Sequence, residues 1–155
     1  ATQVRDAESY WNADGFVSEA DTYDLTYEDT FASGNTDGGY DLKSDGTVLI
    51  RAGAADNKRN FRIWGEATMI DVVSDEPYLR GGIGTTAHIH VLSENSDVVI
   101  EGGTFTGSKG IDNIIFDLDE YGKVTVKSAT VTDDNYVLQT LEEGSNLSLE
   151  NVLEK

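Results

Sequence analysis

Apolar and polar positions alternate in short runs along most of the chain, and the runs return at a recurring distance. They are Leu25 to Tyr27, Val48 to Ile50, Met69 to Val73, Val98 to Ile100, Val124 to Val126 and Leu147 to Leu149. A period of two is the mark of strands, whose successive side chains point to opposite faces. Leu25 and Val48 are 23 residues apart, Val98 and Val124 are 26, and Val124 and Leu147 are 23. Val48 and Val98 are separated by 50, two repeats with the Met69 run between them. A second series keeps the same phase: Asn12-Ala13-Asp14-Gly15-Phe16, then Asn35-Thr36-Asp37-Gly38-Gly39-Tyr40, then Asn57-Lys58-Arg59-Asn60-Phe61. Its steps are 23 and 22 residues. Helical periodicity is almost absent. Repeats of this length, with short strands, an Asn or Gly turn and no helix, predict an all-β right-handed parallel β-helix solenoid. About six coils would stack at the strand spacing of roughly 4.8 Å. The alternative, an antiparallel sandwich, has no reason to keep its turns in phase.

The phase assigns faces. Phe16, Tyr40, Phe61, Ile89 and Phe116 are expected to point inward, and so are Ser18, Leu42, Ile63, Val91 and Leu118. The outward column reads Val17, Asp41, Arg62, His90, Asp117, Gln139, with Glu19, Lys43 and Trp64 one residue pair further on. Residues 74–86 contain Pro77 and three glycines and break the period, so they are expected to form a protruding loop. The whole of 1–155 is expected to be a single β-helix domain or a piece of a longer chain. Its abrupt ends are expected to pack on further coils or another subunit, because solenoid edges are normally covered.

Composition narrows the chemistry. With 29 acidic and 11 basic residues the net charge is -18, which argues against nucleic acid as a partner. It fits a secreted, extracellular protein and a binder of hard cations such as calcium. There is no cysteine, hence no disulfide framework and no thiolate site. No apolar run is long enough for a membrane span.

Stacked coils would bring Asp14 and Asp37 to equivalent turn positions about 5 Å apart. Carboxylates so close repel unless protonated or bridged by a cation, and Asp14, Asp37 and Asp41 are the candidate calcium ligands. The competing reading is that each merely closes an Asx-turn. Arg62, beside Asp41, is either a rung in a surface ion-pair ladder or a fork for a sugar carboxylate. His90 extends the same column as a candidate acid or base, or is a plain surface histidine. His88, at an alternate position of the same strand, is expected to share its face, with no third metal ligand nearby. Trp64, Arg59 and Lys58 are the candidate substrate contacts, with Lys43 positioning the substrate chain. Trp11, Tyr23, Tyr27 and Tyr78 supply further aromatic surface.

The stretch Asn35-Thr36-Asp37-Gly38-Gly39-Tyr40-Asp41-Leu42 resembles the Asn-x-Asp-Asp-Gly-Trp-Asp-Leu turn of the family-nine polysaccharide lyases. These are calcium-dependent pectate lyases built on a parallel β-helix. Ala13-Asp14-Gly15-Phe16 is similar to that family's Ala-Asp-Gly-Phe one coil earlier, and Phe61-Arg62-Ile63 sits where the family has Phe-Lys-Leu. The resemblance covers residues 12 to 65. It implies that Asp14, Asp37 and Asp41 hold calcium and that Arg62 stands at the place of the base. Two positions depart: the family's second Asp is Gly38, and its Lys is Arg62, a poorer proton acceptor.

The activity expected from this likeness is β-elimination on an acidic polysaccharide, a polyuronate such as pectate or alginate. Arg62 would take the proton, or would stabilise enolate-like charge while His90 took it. A uronate C5-epimerase would begin with the same step. The reading from a different class is a non-catalytic module that binds calcium and carbohydrate, or a structural one.

Overall fold

Each repeat of the alternating pattern becomes one coil of a parallel β-solenoid of about six turns, described by a computed structural model over residues 12–81 and 83–155. The first two coils contain β1 (Phe16–Ser18), β2 (Thr26–Glu28), β3 (Phe31–Ser33), β4 (Gly38–Leu42), β5 (Thr47–Ile50) and β6 (Gly53–Ala55). The next two contain β7 (Arg59–Ile63), β8 (Glu66–Asp75), β9 (Ala87–Val91) and β10 (Asp97–Gly107). The last two contain β11 (Asn113–Leu118), β12 (Lys123–Asp133), β13 (Tyr136–Leu141) and β14 (Asn146–Glu154). Among the described residues no helix is long and apolar enough to cross a membrane.

Two parallel sheets result. The six-stranded one runs β1-β4-β7-β9-β11-β13, and the eight-stranded one runs β14-β12-β10-β8-β5-β2 with β3 and β6 paired at its side. At one equivalent bend of the first four coils, Asp29, Arg51 and Asp71 take φ of 52°, 50° and 52° and Gly102 takes 85°. Asp tolerates this left-handed region better than most residues, and Gly enters it freely.

Inward columns fill the core. Phe16, Tyr40 and Phe61 stack with centroids 4.9 and 5.0 Å apart and planes within 17° and 13°. That is the strand spacing itself, so identical ring orientations repeat from coil to coil. Leu42, Ile63, Ile89, Val91, Phe116 and Leu118 are fully buried in the same core, as the alternation predicts. Gly39 is required here: a Cβ on it would lie 2.6 Å from Asn57 Nδ2 and from the Asn60 carbonyl oxygen.

Three sequence expectations shift. The expected loop 74–86 begins later, because Ser74 and Asp75 close β8 and the described residues without strand structure are 76–81 and 83–86. The outward column holds through Asp117, but its sixth member is Thr140, not Gln139, which pairs with Phe116. The last step is one residue longer than assumed, and a one-residue slip exchanges the two faces. Val48 is in register with Thr26 rather than Leu25, because that step is one residue shorter than the 23 counted.

Candidate functional site

The outward column of the six-stranded sheet gathers most of the residues singled out by the sequence. Val17, Asp41, Arg62, His90 and Asp117 lie in register on β1, β4, β7, β9 and β11. Asp14 and Asp37 precede β1 and β4 at equivalent turns, where the Asp37 N–H donates to the Ala13 carbonyl. Arg59 opens β7, Trp64 follows it, and Asp119 follows β11.

Arginine binds the aspartates together. Arg62 Nη1 donates to Asp37 Oδ2 at 2.9 Å, and its Nε lies 3.9 Å from Asp41 Oδ1. Arg59 Nη1 stands 3.8 Å from Asp37 Oδ1. Trp64 Nε1 donates to Asp41 Oδ1 at 2.7 Å, and the Arg62 guanidinium lies over the Trp64 ring, 5.0 Å from its centroid. The Gly38 N–H donates to Asp14 Oδ1 at 2.6 Å. Burial raises the Asp14 carboxyl above its ordinary value, helped by the charges of Asp41 and Asp37 and opposed by the Gly38 N–H.

This arrangement bears on calcium. The ion needs six to eight oxygens. Here both Asp37 oxygens face guanidinium groups, Asp41 Oδ1 accepts from an indole, Asp14 Oδ1 accepts from a backbone N–H, and position 38 offers no carboxylate. As they stand Asp14 Oδ1, Asp37 Oδ2 and Asp41 Oδ1 are paired with N–H donors, so calcium held by all three carboxylates would have to displace Arg62 from Asp37.

One coil further on, His90 is 4% exposed. Its Nε2 lies 3.1 Å from Asp119 Oδ1 and 3.9 Å from Asp117 Oδ2, while its Nδ1 has no hydrogen-bond partner. Burial, then the positive charge of Arg59, push His90 down to about 4 against the pull of Asp119. It is therefore a neutral imidazole at neutral pH, and the Nε2–H is assigned from its carboxylate neighbour. Asp117 is raised by burial and by the nearby charge of Asp119. The Nε atoms of Arg59 and Arg62 are also buried without partners. The column thus changes sign along its length, from guanidinium on β7 to carboxylate at β11. A hollow of about 430 Å³ beyond it is lined by Glu94, Asp119, Glu120 and Glu142.

The expectation that His88 and His90 share a face is overturned. His88 and Ile89 are consecutive yet both fully buried, so the alternation breaks between them and His88 turns into the core. There Ser74 Oγ lies 2.8 Å from His88 Nδ1, and His88 Nε2 lies 3.1 Å from Asp133 Oδ2. This is a Ser-His-Asp series, but all three side chains are closed to solvent and no substrate reaches the hydroxyl. The expectation that no third ligand-type group stands near the histidines is also corrected, since His90, Asp117 and Asp119 bring one ligand atom each within 4.8 Å of one another.

Other candidates stand apart. Lys43 pairs with Glu19 at 3.2 Å. Lys58 runs beside Gly84, and a Cβ there would be 3.6 Å from its Nζ. One face of Trp64 is covered by Arg62. Tyr27 packs against the core, Tyr23 is exposed, Tyr78 lies under Arg80 and Lys109, and Trp11 lies outside the described residues. Asp119 is the residue that the sequence reading missed. Its signal was present in Asp117-Leu118-Asp119, where an inward leucine separates two outward carboxylates.

No known family model, curated protein or solved structure matches this chain. The likeness to family-nine lyases therefore rests on the motif residues alone.

Proposed function

We propose that the outer face of the six-stranded sheet binds an acidic polysaccharide and removes the proton beside a uronate carboxylate, as a secreted polyuronate lyase does. What supports this reading is His90, a neutral imidazole on the outer face in register with Arg62, whose unpartnered Nδ1 is closed to solvent as the coils stand, so the neighbouring side chains must move before it meets a proton. A base, a carboxylate fork and charge stabilisation at adjacent positions are what α-proton abstraction requires.

In this reading Arg59 and Arg62 face the uronate carboxylate, where guanidinium forks match its two oxygens. They also balance the enolate-like charge as it develops. His90 Nδ1 takes the C5 proton, the C5–H electron pair forms the C4–C5 double bond, and the C4–O bond breaks. The leaving oxygen keeps that bonding pair and is protonated. Arg62 serves as charge stabiliser rather than base, because its guanidinium, paired with Asp37, carries donors and no acceptor. Acidic glycan would approach from the β7 side, since carboxylates dominate beyond β11. A hollow of about 670 Å³ on the eight-stranded sheet, lined by Asp71, Ser128, Glu150 and Asn151 among others, offers no cation for it. C5-epimerisation would share the first step.

The second reading, a binding module without turnover, is favoured by one observation: Asp37 already pairs with Arg62 Nη1 and Asp41 with Trp64 Nε1. Incubation with pectate, polymannuronate and polyguluronate separates the two. The lyase reading expects ultraviolet absorbance from an unsaturated uronate with wild type and none with His90→Ala. Retention of glycan without absorbance, lost in Arg62→Ala, would leave only the module.

A further inference from the structure

The proposed role of His90 requires one ring nitrogen to carry no proton, and its contacts bear on which one: Nδ1 has no hydrogen-bond partner and is closed to solvent as the coils stand. Two carboxylates approach the ring from the β11 coil. Asp119 Oδ1 stands 3.1 Å from Nε2, within hydrogen-bond reach, whereas Asp117 Oδ2 stands 3.9 Å away, beyond it. Arg59 and Arg62, from β7 on the other side, carry only donors and offer nothing to an N–H. A neutral imidazole has one N–H, and it settles where an acceptor waits. The Asp119 side chain is 37% exposed and the His90 side chain 6%, so the carboxylate reaches into the column from its rim.

We propose that Asp119 is the positioning residue of His90, fixing the Nε2–H tautomer and the ring orientation so that Nδ1 keeps its lone pair for the substrate proton. This rests on the lyase reading for the use of Nδ1, but not for the tautomer itself. A base oriented by a third group in this way is the arrangement that activates histidine in hydrolytic triads. Here it is assembled from successive coils, with the base on β9 and its orienting carboxylate just after β11. Asp117 lies in the column register yet is the wrong distance for the task, which is why the outward alternation alone pointed to it and not to Asp119.

The test is nitrogen-15 NMR of the labelled full chain at neutral pH, with His88→Gln used to assign the His90 signals. Wild type is expected to show the Nε2–H tautomer. Asp119→Ala should give a mixture of tautomers while circular dichroism stays unchanged, and Asp119→Glu should restore the single form. On polyuronate, Asp119→Ala should lower kcat between roughly 10- and 10⁴-fold with KM little changed, the upper end being the effect of a mis-set tautomer. An Nδ1–H tautomer in wild type, or a tautomer indifferent to Asp119→Ala, overturns the proposal. So does a shift of His90 Nε2 on adding zinc or manganese chloride that Asp117→Ala abolishes, for then the three residues hold a metal instead. An Asp119-dependent Nε2–H with no polyuronate turnover would sink the lyase reading and leave the pairing intact.

Discussion

His88 and His90 stand two residues apart on one strand and belong to different worlds. His88 ends a chain of hydrogen bonds that crosses the core from coil to coil. Asn35 Nδ2 donates to Asn57 Oδ1 at 2.8 Å, Asn57 Nδ2 to Asn60 Oδ1 at 2.9 Å, and Asn60 Nδ2 to Ser74 Oγ at 2.9 Å. Ser74 then meets His88, and Asp133 receives both His88 and Asn113 Nδ2. Every donor finds an acceptor, which is the condition under which polar groups survive in a core. Burial lowers His88, while for Asp133 the bonds from His88, Asn113 and Asn135 outweigh burial and hold it below the ordinary carboxylate value. The pair is thus a neutral imidazole against an ionised carboxylate. His90 has the same ring, nearly the same burial and one nitrogen left over. The full set of partners makes His88 a residue that holds the fold, and the missing partner is what the role proposed for His90 rests on.

Substitutions should break this comparison in opposite ways. His90→Ala should lower polyuronate turnover by about 10²–10⁴-fold, the usual worth of a general base, and leave the urea midpoint nearly unchanged. His88→Ala should do the reverse. Removing one partner of a buried hydrogen-bonded charge costs about 3–5 kcal/mol, read as a fall in unfolding free energy in urea. Equal effects of the two on stability would dissolve the distinction.

pH sharpens it next. Both imidazoles are depressed in the folded state, so unfolding takes up protons between the ordinary histidine value and the folded one. Stability is full above about pH 6.5 and is lost as pH falls toward 4. Asp14 and Asp117, being raised, run the other way and stabilise only at the acid end of that window. Urea midpoints at pH 7 and pH 5 should differ less in His90→Gln than in wild type. The turnover rate should keep its plateau down to about pH 4 rather than falling near 6.5. The smallest effect belongs to Lys127→Ala, whose partner Glu101 is on the exposed eight-stranded sheet and whose loss should move neither midpoint nor rate.

The fold was legible because a solenoid writes itself as a period. Phe16, Tyr40 and Phe61 recur in phase and stack in phase. The outward column was legible for the same reason through Asp117, and failed at Gln139 because coil lengths vary and one residue reverses the face. The partners within the column were not legible. Register placed Arg62 beside Asp41, but its closest bond goes to Asp37 in the turn before, where a long side chain reaches back. That choice turns an expected calcium cradle into an arginine-filled one. Calorimetric titration with calcium should accordingly give the same response in wild type and Asp37→Ala. His88 was misplaced because nothing in His88-Ile89-His90 signals that two consecutive residues face inward.

Exchange of the C5 proton is the most direct test of the central claim. Polyuronate incubated with the protein in deuterated water should acquire unsaturated ends, or C5 deuterium if the polymer is released intact. Both should vanish in His90→Ala and persist in Lys127→Ala. Neither change on pectate, polymannuronate or polyguluronate would mean that the bare nitrogen of His90 takes no proton from a uronate, and the account would fail.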